Sequence, residues 1–175
     1  MGMSAVFLDR DGVINVKAAD AAYVTSWEEF AFLPSALEGL RLLAALDVPI
    51  VVVTNQRGVA RGLMSEDELS AIHTRMRADV AAAGARIDAV YACVHNFGCL
   101  CRKPEVGMFR AAAEDLGIRL NRSVVVGDAL SDMLAARRIG ATAILVGSTS
   151  VGGLGVDFVG RDLLDAAHWL AGRAD

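Results

Sequence analysis

Four short polar segments of this chain carry residue types that are suited to phosphoryl transfer. They are Asp9-Arg10-Asp11-Gly12, Thr54-Asn55, Arg102-Lys103-Pro104 and Gly127-Asp128. Hydrolysis of a phosphate monoester is extremely slow without a catalyst, so a nucleophile, an acid, a metal ion and cationic groups must act together. Each segment alone is typical of a turn or a solvated loop, and it is their combination that predicts a site for phosphoryl transfer.

The two carboxylates of the first segment suggest a division of roles. Asp9 and Asp11 are two residues apart after an apolar run, so their side chains would point to the same side of an extended backbone. We expect Asp9 to be the nucleophile that forms an aspartyl-phosphate, and Asp11 to be the general acid and then the base for the hydrolytic water. Arg10, which lies between them, is a candidate phosphate-binding residue.

Carboxylates also predict a magnesium site. Asp9, Asp11 and Asp128 are the candidate ligands, because Mg²⁺ favours oxygen ligands and would offset the repulsion between carboxylates and a phosphate dianion. Asp132 follows Asp128 by four residues and would lie one helical turn away. We expect Asp132 to orient ligands or water.

Cationic and polar side chains of the other segments are candidates for holding the phosphate group. Lys103 would offer a compact positive charge to the transferred group, and Arg102 would offer a planar guanidinium to substrate oxygens. The hydroxyl of Thr54 and backbone amides near Asn55 would hold phosphate oxygens. We therefore expect all four residues at the same pocket as the acidic pair.

Three cysteines and a histidine form a second candidate metal site. An odd number of cysteines speaks against a disulfide framework, and a Cys₃His set is compatible with tetrahedral Zn²⁺. The alternative is that one cysteine is a core residue and the others are free thiols. His73 and His168 lie in helical patterns and are interpreted as structural. The candidate zinc ligands are Cys93, His95, Cys99 and Cys101.

The composition predicts one compact domain spanning residues 1–175, because 54% of the residues are apolar and only 22% are charged. The net charge of −4 argues against a general nucleic-acid binder, and no apolar run is long enough to span a bilayer. The N-terminus lacks the pattern of a signal peptide, so we expect a cytoplasmic protein. In the absence of an obvious dimerisation stripe, we expect a monomer without a membrane partner.

Short apolar runs that alternate with helical patterns predict the elements that must position these residues. The runs are rich in β-branched residues, as expected for strands that are covered on both faces. This order predicts an α/β fold, a doubly wound parallel sheet whose ligands gather at the carboxyl ends of the strands. The predicted strands are residues 5–8, 50–53, 87–94, 124–126 and 143–146.

Several residues indicate where the helices begin and end. Ser35 with Glu38, and Ser65 with Glu68, are candidate capping boxes. Residues 162–172 are predicted to form a last amphipathic helix, and residues 147–155 form a loop rich in glycine and serine that lacks the ending of a P-loop. The predicted helix ends are Gly84, Gly117 and Gly140.

Nearly the whole chain resembles the haloacid dehalogenase-like phosphatases. Residues 7–15 resemble the first motif of that family, residues 53–56 the second, Arg102-Lys103-Pro104 the third, and residues 126–128 with Asp132 the fourth. Within the family, residues 54–62 resemble the branch that contains heptose 1,7-bisphosphate phosphatases and histidinol-phosphate phosphatases. The resemblance implies a Rossmann-like fold, and the spacing of the motifs leaves no room for a separate cap domain.

The resemblance also implies a substrate and further site residues. It implies that a small phosphorylated sugar, D-glycero-D-manno-heptose 1,7-bisphosphate, loses its 7-phosphate, with histidinol phosphate as the alternative substrate. Asp20 and Tyr23 would help to hold the sugar, while Gln56 and Arg57 would line the phosphate and the sugar. Related phosphatases bind zinc in a similar cysteine loop, which favours zinc here. Relatives often carry a lysine directly after the metal-binding aspartate, where this chain has Ala129.

Two further functions are less favoured. A nucleic-acid 3′-phosphatase would need a basic track around the site, and the chain is acidic overall. A non-enzymatic adaptor that uses only the zinc loop would not need the catalytic residues, yet all of them are present: Asp9, Asp11, Lys103 and Asp128.

Overall fold

The computed structural model describes residues 2–19, 22–147 and 155–173. Six parallel strands form one sheet in the order β3-β2-β1-β4-β5-β6, which confirms the predicted parallel α/β fold. The strand order reverses at β1, which lies between β2 and β4. The strands are β1 (Val6–Leu8), β2 (Ile50–Asn55), β3 (Ala89–Cys93), β4 (Val124–Gly127), β5 (Thr142–Val146) and β6 (Phe158–Gly160).

Helices cover both faces of this sheet. Successive residues of a strand point to opposite faces, so Val6 and Leu8 of β1 contribute to one core cluster and Phe7 to the other. The first cluster includes residues of α1, α2 and α5, and the second includes residues of α3 and α4. The helices are α1 (Ala36–Ala44), α2 (Glu66–Ala82), α3 (Gly107–Leu116), α4 (Leu130–Ile139) and α5 (Leu163–Ala171), and a short 3₁₀ helix spans Leu120–Arg122.

One of the two predicted capping boxes is present. Ser65 Oγ accepts a hydrogen bond from the Glu68 amide at 3.1 Å, and the Glu68 carboxylate accepts one from the Ser65 amide at 2.7 Å. The prediction for Ser35 is wrong, because its hydroxyl donates to Asp162 Oδ2 at 2.7 Å and makes no bond to the start of α1. Asp162 caps α5, so this bond joins the starts of two helices.

The other element predictions are largely confirmed. The three glycines have positive φ values between 65° and 77°, and they follow α2, α3 and α4. The inner face of α5 is buried as predicted. Of the glycine- and serine-rich loop, residues 148–154 lie outside the described residues. Within the described part of the chain, no helix is both long and apolar enough to cross a membrane.

Candidate active site

The carboxyl ends of β1, β2 and β4 bring the predicted phosphoryl-transfer residues together. Lys103 is only 4% exposed, and its ammonium group lies 2.9 Å from Asp9 Oδ1 and 2.6 Å from Asp132 Oδ1. It also donates to the Val53 carbonyl oxygen at 2.8 Å. These three contacts match the three N–H donors of a lysine, so Lys103 is fixed directly beside the proposed nucleophile.

Burial and the neighbouring charges change the proton affinities of this pair. Burial raises the pKa of Asp9 to about 6, although Lys103 acts in the opposite direction. Burial alone would lower the pKa of Lys103, but the Asp132 and Asp9 carboxylates raise it above its usual range. The lysine is therefore a permanent positive charge, while Asp9 is a carboxyl group that depends on nearby cations to stay ionised.

Three carboxylates form the candidate magnesium site. Asp9, Asp128 and Asp132 each offer an oxygen, and these atoms all lie within 4.8 Å of one another. Asp132 is already engaged, because it binds Lys103 and accepts a hydrogen bond from the Ala129 amide at 3.1 Å. Neither Asp132 Oδ1 nor Asp128 Oδ1 has a hydrogen-bond partner, but Asp132 Oδ1 is paired with the Lys103 charge, whereas the ion pair of Asp128 with Lys17 uses Oδ2. Hard carboxylate oxygens with one unpartnered atom fit Mg²⁺.

Gly12 and Gly127 leave room for the carboxylates of Asp128 and Asp132 to lie against the backbone. Gly12 has a φ of +87°, and a Cβ atom there would lie 2.3 Å from Asp128 Oδ2. A Cβ atom at Gly127 would lie 2.2 Å from the Cβ of Asp132. Real Cβ atoms do not approach other atoms this closely, so the site requires glycine at both positions.

Asp11 lies in a different arrangement from the one predicted for a metal ligand. Its carboxylate accepts hydrogen bonds from Arg10 Nη2 at 3.0 Å, Asn15 Nδ2 at 2.9 Å and Gln56 Nε2 at 2.7 Å. Burial would raise the pKa of Asp11, but the Arg10 charge and these hydrogen bonds lower it. Among the described residues, the Asp11 carboxylate is not part of the acidic cluster, so its predicted role as a side-chain ligand to Mg²⁺ needs correction.

Arg10 also departs from its predicted role. We expected it to bind phosphate, yet its side chain is fully buried, and its guanidinium faces Asp11 and His73 rather than the pocket. Arg10 is not among the residues that line the cavity beside the acidic cluster. His73, interpreted as structural from the sequence, is its contact at 3.0 Å.

A cavity of about 240 Å³ opens above the acidic cluster. Tyr23 and Arg102 line it as the sequence predicted, whereas Asp20 lies outside the described residues. Arg57 is not among the lining residues, and its guanidinium contacts the Asn96 side chain and the ring of Phe97. The lining comprises Asp9, Asp11, Lys17, Ala18, Ala19, Ala22, Tyr23, Val24, Asn55, Arg102, Lys103, Asp128, Ala129 and Ser131.

The polar residues at the end of β2 serve mainly to brace the site. The side chain of Asn55 accepts a hydrogen bond from the Lys103 amide at 2.9 Å and donates one to the Lys103 carbonyl at 3.1 Å. The hydroxyl of Thr54 is buried and accepts from Gln56 Nε2 at 2.9 Å. Asn55 lines the cavity, while Thr54 and Gln56 lie behind it.

Lys17 is a site residue that the sequence reasoning missed. Its ammonium group lies 2.9 Å from Asp128 Oδ2, and its side chain is 58% exposed. The signal was present in the composition, because Lys17 and Lys103 are the only lysines in a chain that otherwise uses arginine. This contact places a cation in the same cavity that Ala129 lines.

The cysteine loop brings the four candidate zinc ligands together. Their ligand atoms all lie within 4.8 Å of one another, with 3.5 Å between the sulfurs of Cys93 and Cys99 and 3.8 Å from Cys93 Sγ to His95 Nδ1. Cys101 Sγ lies closer, at 2.8 Å from Cys93 Sγ and 3.1 Å from His95 Nδ1. A tetrahedral site with Zn–S bonds of about 2.3 Å has edges of roughly 3.8 Å, which the first two separations approach and the two contacts of Cys101 fall short of. The described cysteines form no disulfide, so the donors fit Zn²⁺.

Comparisons with known proteins agree with this geometry. A family model described as "HAD-hyrolase-like" matches residues 100–166. The chain is 37% identical to a D-glycero-beta-D-manno-heptose-1,7-bisphosphate 7-phosphatase of Pseudomonas aeruginosa, over 93% of this chain and 89% of the relative. It is 40% identical to the corresponding alpha-anomer phosphatase of Mycobacterium tuberculosis, over 85% of this chain and 79% of the relative.

A solved structure extends the likeness to three dimensions. The crystal structure of D,D-heptose 1,7-bisphosphate phosphatase from B. bronchiseptica, complexed with magnesium and phosphate, superposes with a TM-score of 0.90. It is 37% identical in sequence, and the match covers 98% of this chain and 99% of that one. With its parallel sheet, its clustered carboxylates and relatives of this similarity, the chain belongs to the haloacid dehalogenase-like hydrolases.

Proposed function

We propose that this protein is a Mg²⁺-dependent phosphatase that removes the 7-phosphate of D-glycero-D-manno-heptose 1,7-bisphosphate. The observation that carries the proposal is the contact of Lys103 with Asp9 at 2.9 Å, inside a cluster of three carboxylates at the floor of a cavity. Relatives of both anomeric specificities and the superposed phosphatase support the choice of substrate.

Asp9 and Asp128 are the residues proposed to hold Mg²⁺. Asp128 Oδ1 has no hydrogen-bond partner, and Asp9 turns its carboxylate toward the same cavity. When bound, the ion would neutralise charge on the carboxylates and on the phosphate oxygens. Asp132 is proposed to hold Lys103 in place rather than to bind the ion, because both of its oxygens are engaged.

The proposed reaction has two displacement steps at phosphorus. An Asp9 oxygen forms a bond to phosphorus as the bond to the sugar oxygen breaks, and the sugar oxygen takes a proton from Asp11. A water molecule then attacks the aspartyl-phosphate, giving its proton to Asp11, and the bond between phosphorus and Asp9 breaks. Lys103 stabilises the negative charge on the transferred group in both steps.

The proton carried by Asp11 depends on the substrate. In this arrangement the Arg10 charge and several hydrogen bonds lower the pKa of Asp11 against the effect of burial. A phosphate dianion beside it raises the pKa of its carboxyl again, because like charges repel. Substrate binding thus favours the protonated form that the first step requires, and product release favours the carboxylate.

The cysteine loop is proposed to hold a structural Zn²⁺ through Cys93, His95, Cys99 and Cys101. A closed site with four protein ligands is typical of zinc that stabilises a fold. The last ligand is followed directly by Arg102 and Lys103. Zinc binding would therefore fix the two cations at the cavity, and it would contribute to the stability of the loop.

We further propose that residues 1–175 form one domain that acts as a monomer in the cytoplasm. Both core clusters lie on the two faces of one sheet, and three cysteines without a disulfide are typical of a reducing compartment. The chain carries a net charge of −4 and not the basic surface that a nucleic acid needs, which favours a small phosphorylated sugar.

A substrate panel tests the proposed function. The purified protein with Mg²⁺ is assayed for phosphate release from both anomers of the heptose 1,7-bisphosphate and from histidinol phosphate. We expect kcat/KM to be highest for one heptose anomer. A higher value for histidinol phosphate would replace the substrate, and no phosphate release from any of the three would reject the proposal.

A further inference from the structure

Arg10 is a buried cation with two side-chain partners. Its side chain is fully buried, and its Nη2 donates to Asp11 Oδ1 at 3.0 Å and to Oδ2 at 3.2 Å. Its Nη1 lies 3.0 Å from Nε2 of His73, a residue 63 positions away on α2. A single guanidinium therefore connects the proposed proton carrier to a helix outside the pocket.

The contact with arginine fixes the chemical state of His73. Arginine nitrogens can only donate hydrogen bonds, so Nε2 of His73 must accept one and the imidazole must carry its proton on Nδ1. Burial and the Arg10 charge lower the pKa of His73 to about 4. The ring is thus a neutral acceptor at neutral pH, and a protonated ring would bring two cations into contact.

The helix that carries His73 is anchored in the hydrophobic core, while His73 itself is half-buried. Ile72 precedes His73 in α2 and Met76 follows it by three residues; they are 2% and 0% exposed and belong to the core on that face of the sheet. The capping box of Ser65 and Glu68 fixes the start of the same helix. A side chain placed in this way can hold a guanidinium in one orientation.

We propose that His73 is a positioning residue for the phosphatase reaction, holding the Arg10 guanidinium so that Arg10 in turn holds the Asp11 carboxyl where protons are transferred. This inference rests on the proposed function, because it assumes that Asp11 carries the proton to the leaving group. Neither His73 nor Arg10 lines the cavity, so both act through Asp11 rather than on the substrate.

The dependence on the leaving group tests this proposal. Glycerol phosphate needs a proton on its leaving oxygen, whereas p-nitrophenyl phosphate does not, because nitrophenolate is a stable anion. Misplacing Asp11 should therefore lower kcat/KM only for glycerol phosphate, because kcat/KM reports the step in which the leaving group departs and not the later hydrolysis that both substrates share. For His73→Leu, which removes the acceptor, we expect kcat/KM to fall about tenfold with glycerol phosphate and less than about twofold with p-nitrophenyl phosphate.

Three further variants serve as controls for the effect of His73→Leu. His73→Gln retains an acceptor near the position of Nε2 and should recover most of the activity, while His168→Gln on α5 should behave like the wild type. Asp11→Asn should show the same dependence on the leaving group as His73→Leu, but more strongly. Melting curves establish that each variant is folded, and the His73→Gln comparison still decides the matter if His73→Leu is unstable.

The outcomes separate the two proposals. If Asp11→Asn discriminates between the substrates and the His73 variants slow both equally, or neither, the inference is overturned while the proposed function stands. If the wild type releases no phosphate from any monoester, both fail together.

Independently of activity, the ring signals of His73 in an NMR titration should not shift between pH 8 and about 5, and a transition near pH 6.5 would contradict the contact with Arg10.

Discussion

At the scale of single residues, the choice between lysine and arginine follows the chemistry of each position. The only two lysines, Lys17 and Lys103, both contact carboxylates of the acidic cluster. A compact ammonium group fits among converging carboxylates, whereas the planar guanidinium of Arg10 spans two oxygens of Asp11. The cations are therefore not interchangeable at these positions.

The exposed lysine leads to a prediction about metal affinity. Lys17 binds Asp128 Oδ2, and Asp128 is a proposed Mg²⁺ ligand, so the ammonium group competes with the ion. An exposed ion pair is weak, and Lys17→Gln should therefore lower the half-saturating Mg²⁺ concentration by only about two- to fivefold. Magnesium titrations of phosphatase activity measure this, with the exposed Arg110→Gln as control, and a higher Mg²⁺ requirement in Lys17→Gln would contradict it.

The proposed nucleophile leads to a prediction about turnover. An amide cannot attack phosphorus as a carboxylate does, so Asp9→Asn should lower kcat by at least about a thousandfold. The exposed Asp79 of α2 offers a matched control, and Asp79→Asn should keep full activity. Equal activity of Asp9→Asn and the wild type would exclude the aspartyl-phosphate mechanism.

The same variant leads to a prediction about pH and stability in the absence of metal. Burial raises the pKa of Asp9 from 3.8 to about 6 in the folded protein, so the folded state binds this proton more tightly than the unfolded state does. Asp9 therefore contributes stability at low pH that is lost as the pH rises from about 4 to about 6.

Asp9→Asn removes this titration. The free energy of unfolding of the variant relative to the wild type should increase over that pH range when no Mg²⁺ is present. Urea denaturation at pH 4.5 and pH 7.5 measures the difference. Added Mg²⁺ should reverse the trend at pH 7.5, because the ion favours the ionised carboxylate, and a difference that does not change with pH would refute the assignment.

At the scale of elements, five of the six strands were predictable from the sequence, including the edge strand β3, whereas the edge strand β6 was not. Apolar β-branched runs have few alternatives to a covered strand, so the other strands were identified from the sequence. Strand β6, Phe158–Gly160, has the same three-residue length as β1, but its central Val159 is 57% exposed and it was missed. The cap at Ser35 was mispredicted because its partner, Asp162, is distant in the sequence.

The site shows the same division between local and distant information. Residues at strand ends, such as Asp9 and Asp128, follow from position alone, and the structure brings them together. The partners of Arg10 and Asp11 depend on α2 and on Gln56, which approach from elsewhere in the chain. Sequence spacing carries no information about such contacts, so Arg10 was assigned to phosphate and His73 to packing alone.

The cysteine loop leads to a prediction about zinc. Protein purified without chelators should contain about one Zn²⁺ per chain, held by the Cys₃His cluster. Removing zinc should lower the melting temperature and kcat, because Arg102 and Lys103 follow the ligand Cys101 directly. Re-adding Mg²⁺ alone should not restore activity, and an absence of zinc in the untreated protein would contradict the prediction.

At the scale of the whole molecule, a small acidic protein of 18.4 kDa carries its site in a cavity at the carboxyl ends of the central strands. The proposed monomer predicts a mass close to this value by light scattering, and a mass twice as large would reject it.

The proposed preference for a sugar predicts negligible phosphate release from a 3′-phosphorylated oligonucleotide, because a net charge of −4 repels nucleic acid. Rapid release at low salt would contradict it.

The double hydrogen bond between Asn55 and the backbone of Lys103 separates the placement of the Lys103 charge from the shape of the loop that precedes it. These two hydrogen bonds hold the backbone of Lys103 at the end of strand β2, and the position of its ammonium group follows from that anchor. The side chains at the outer part of the cysteine loop, Phe97 and Leu100, are exposed, and they can be exchanged without moving the candidate zinc ligands or that charge. Evolution can thus alter which molecules are admitted while leaving the bond-breaking apparatus intact.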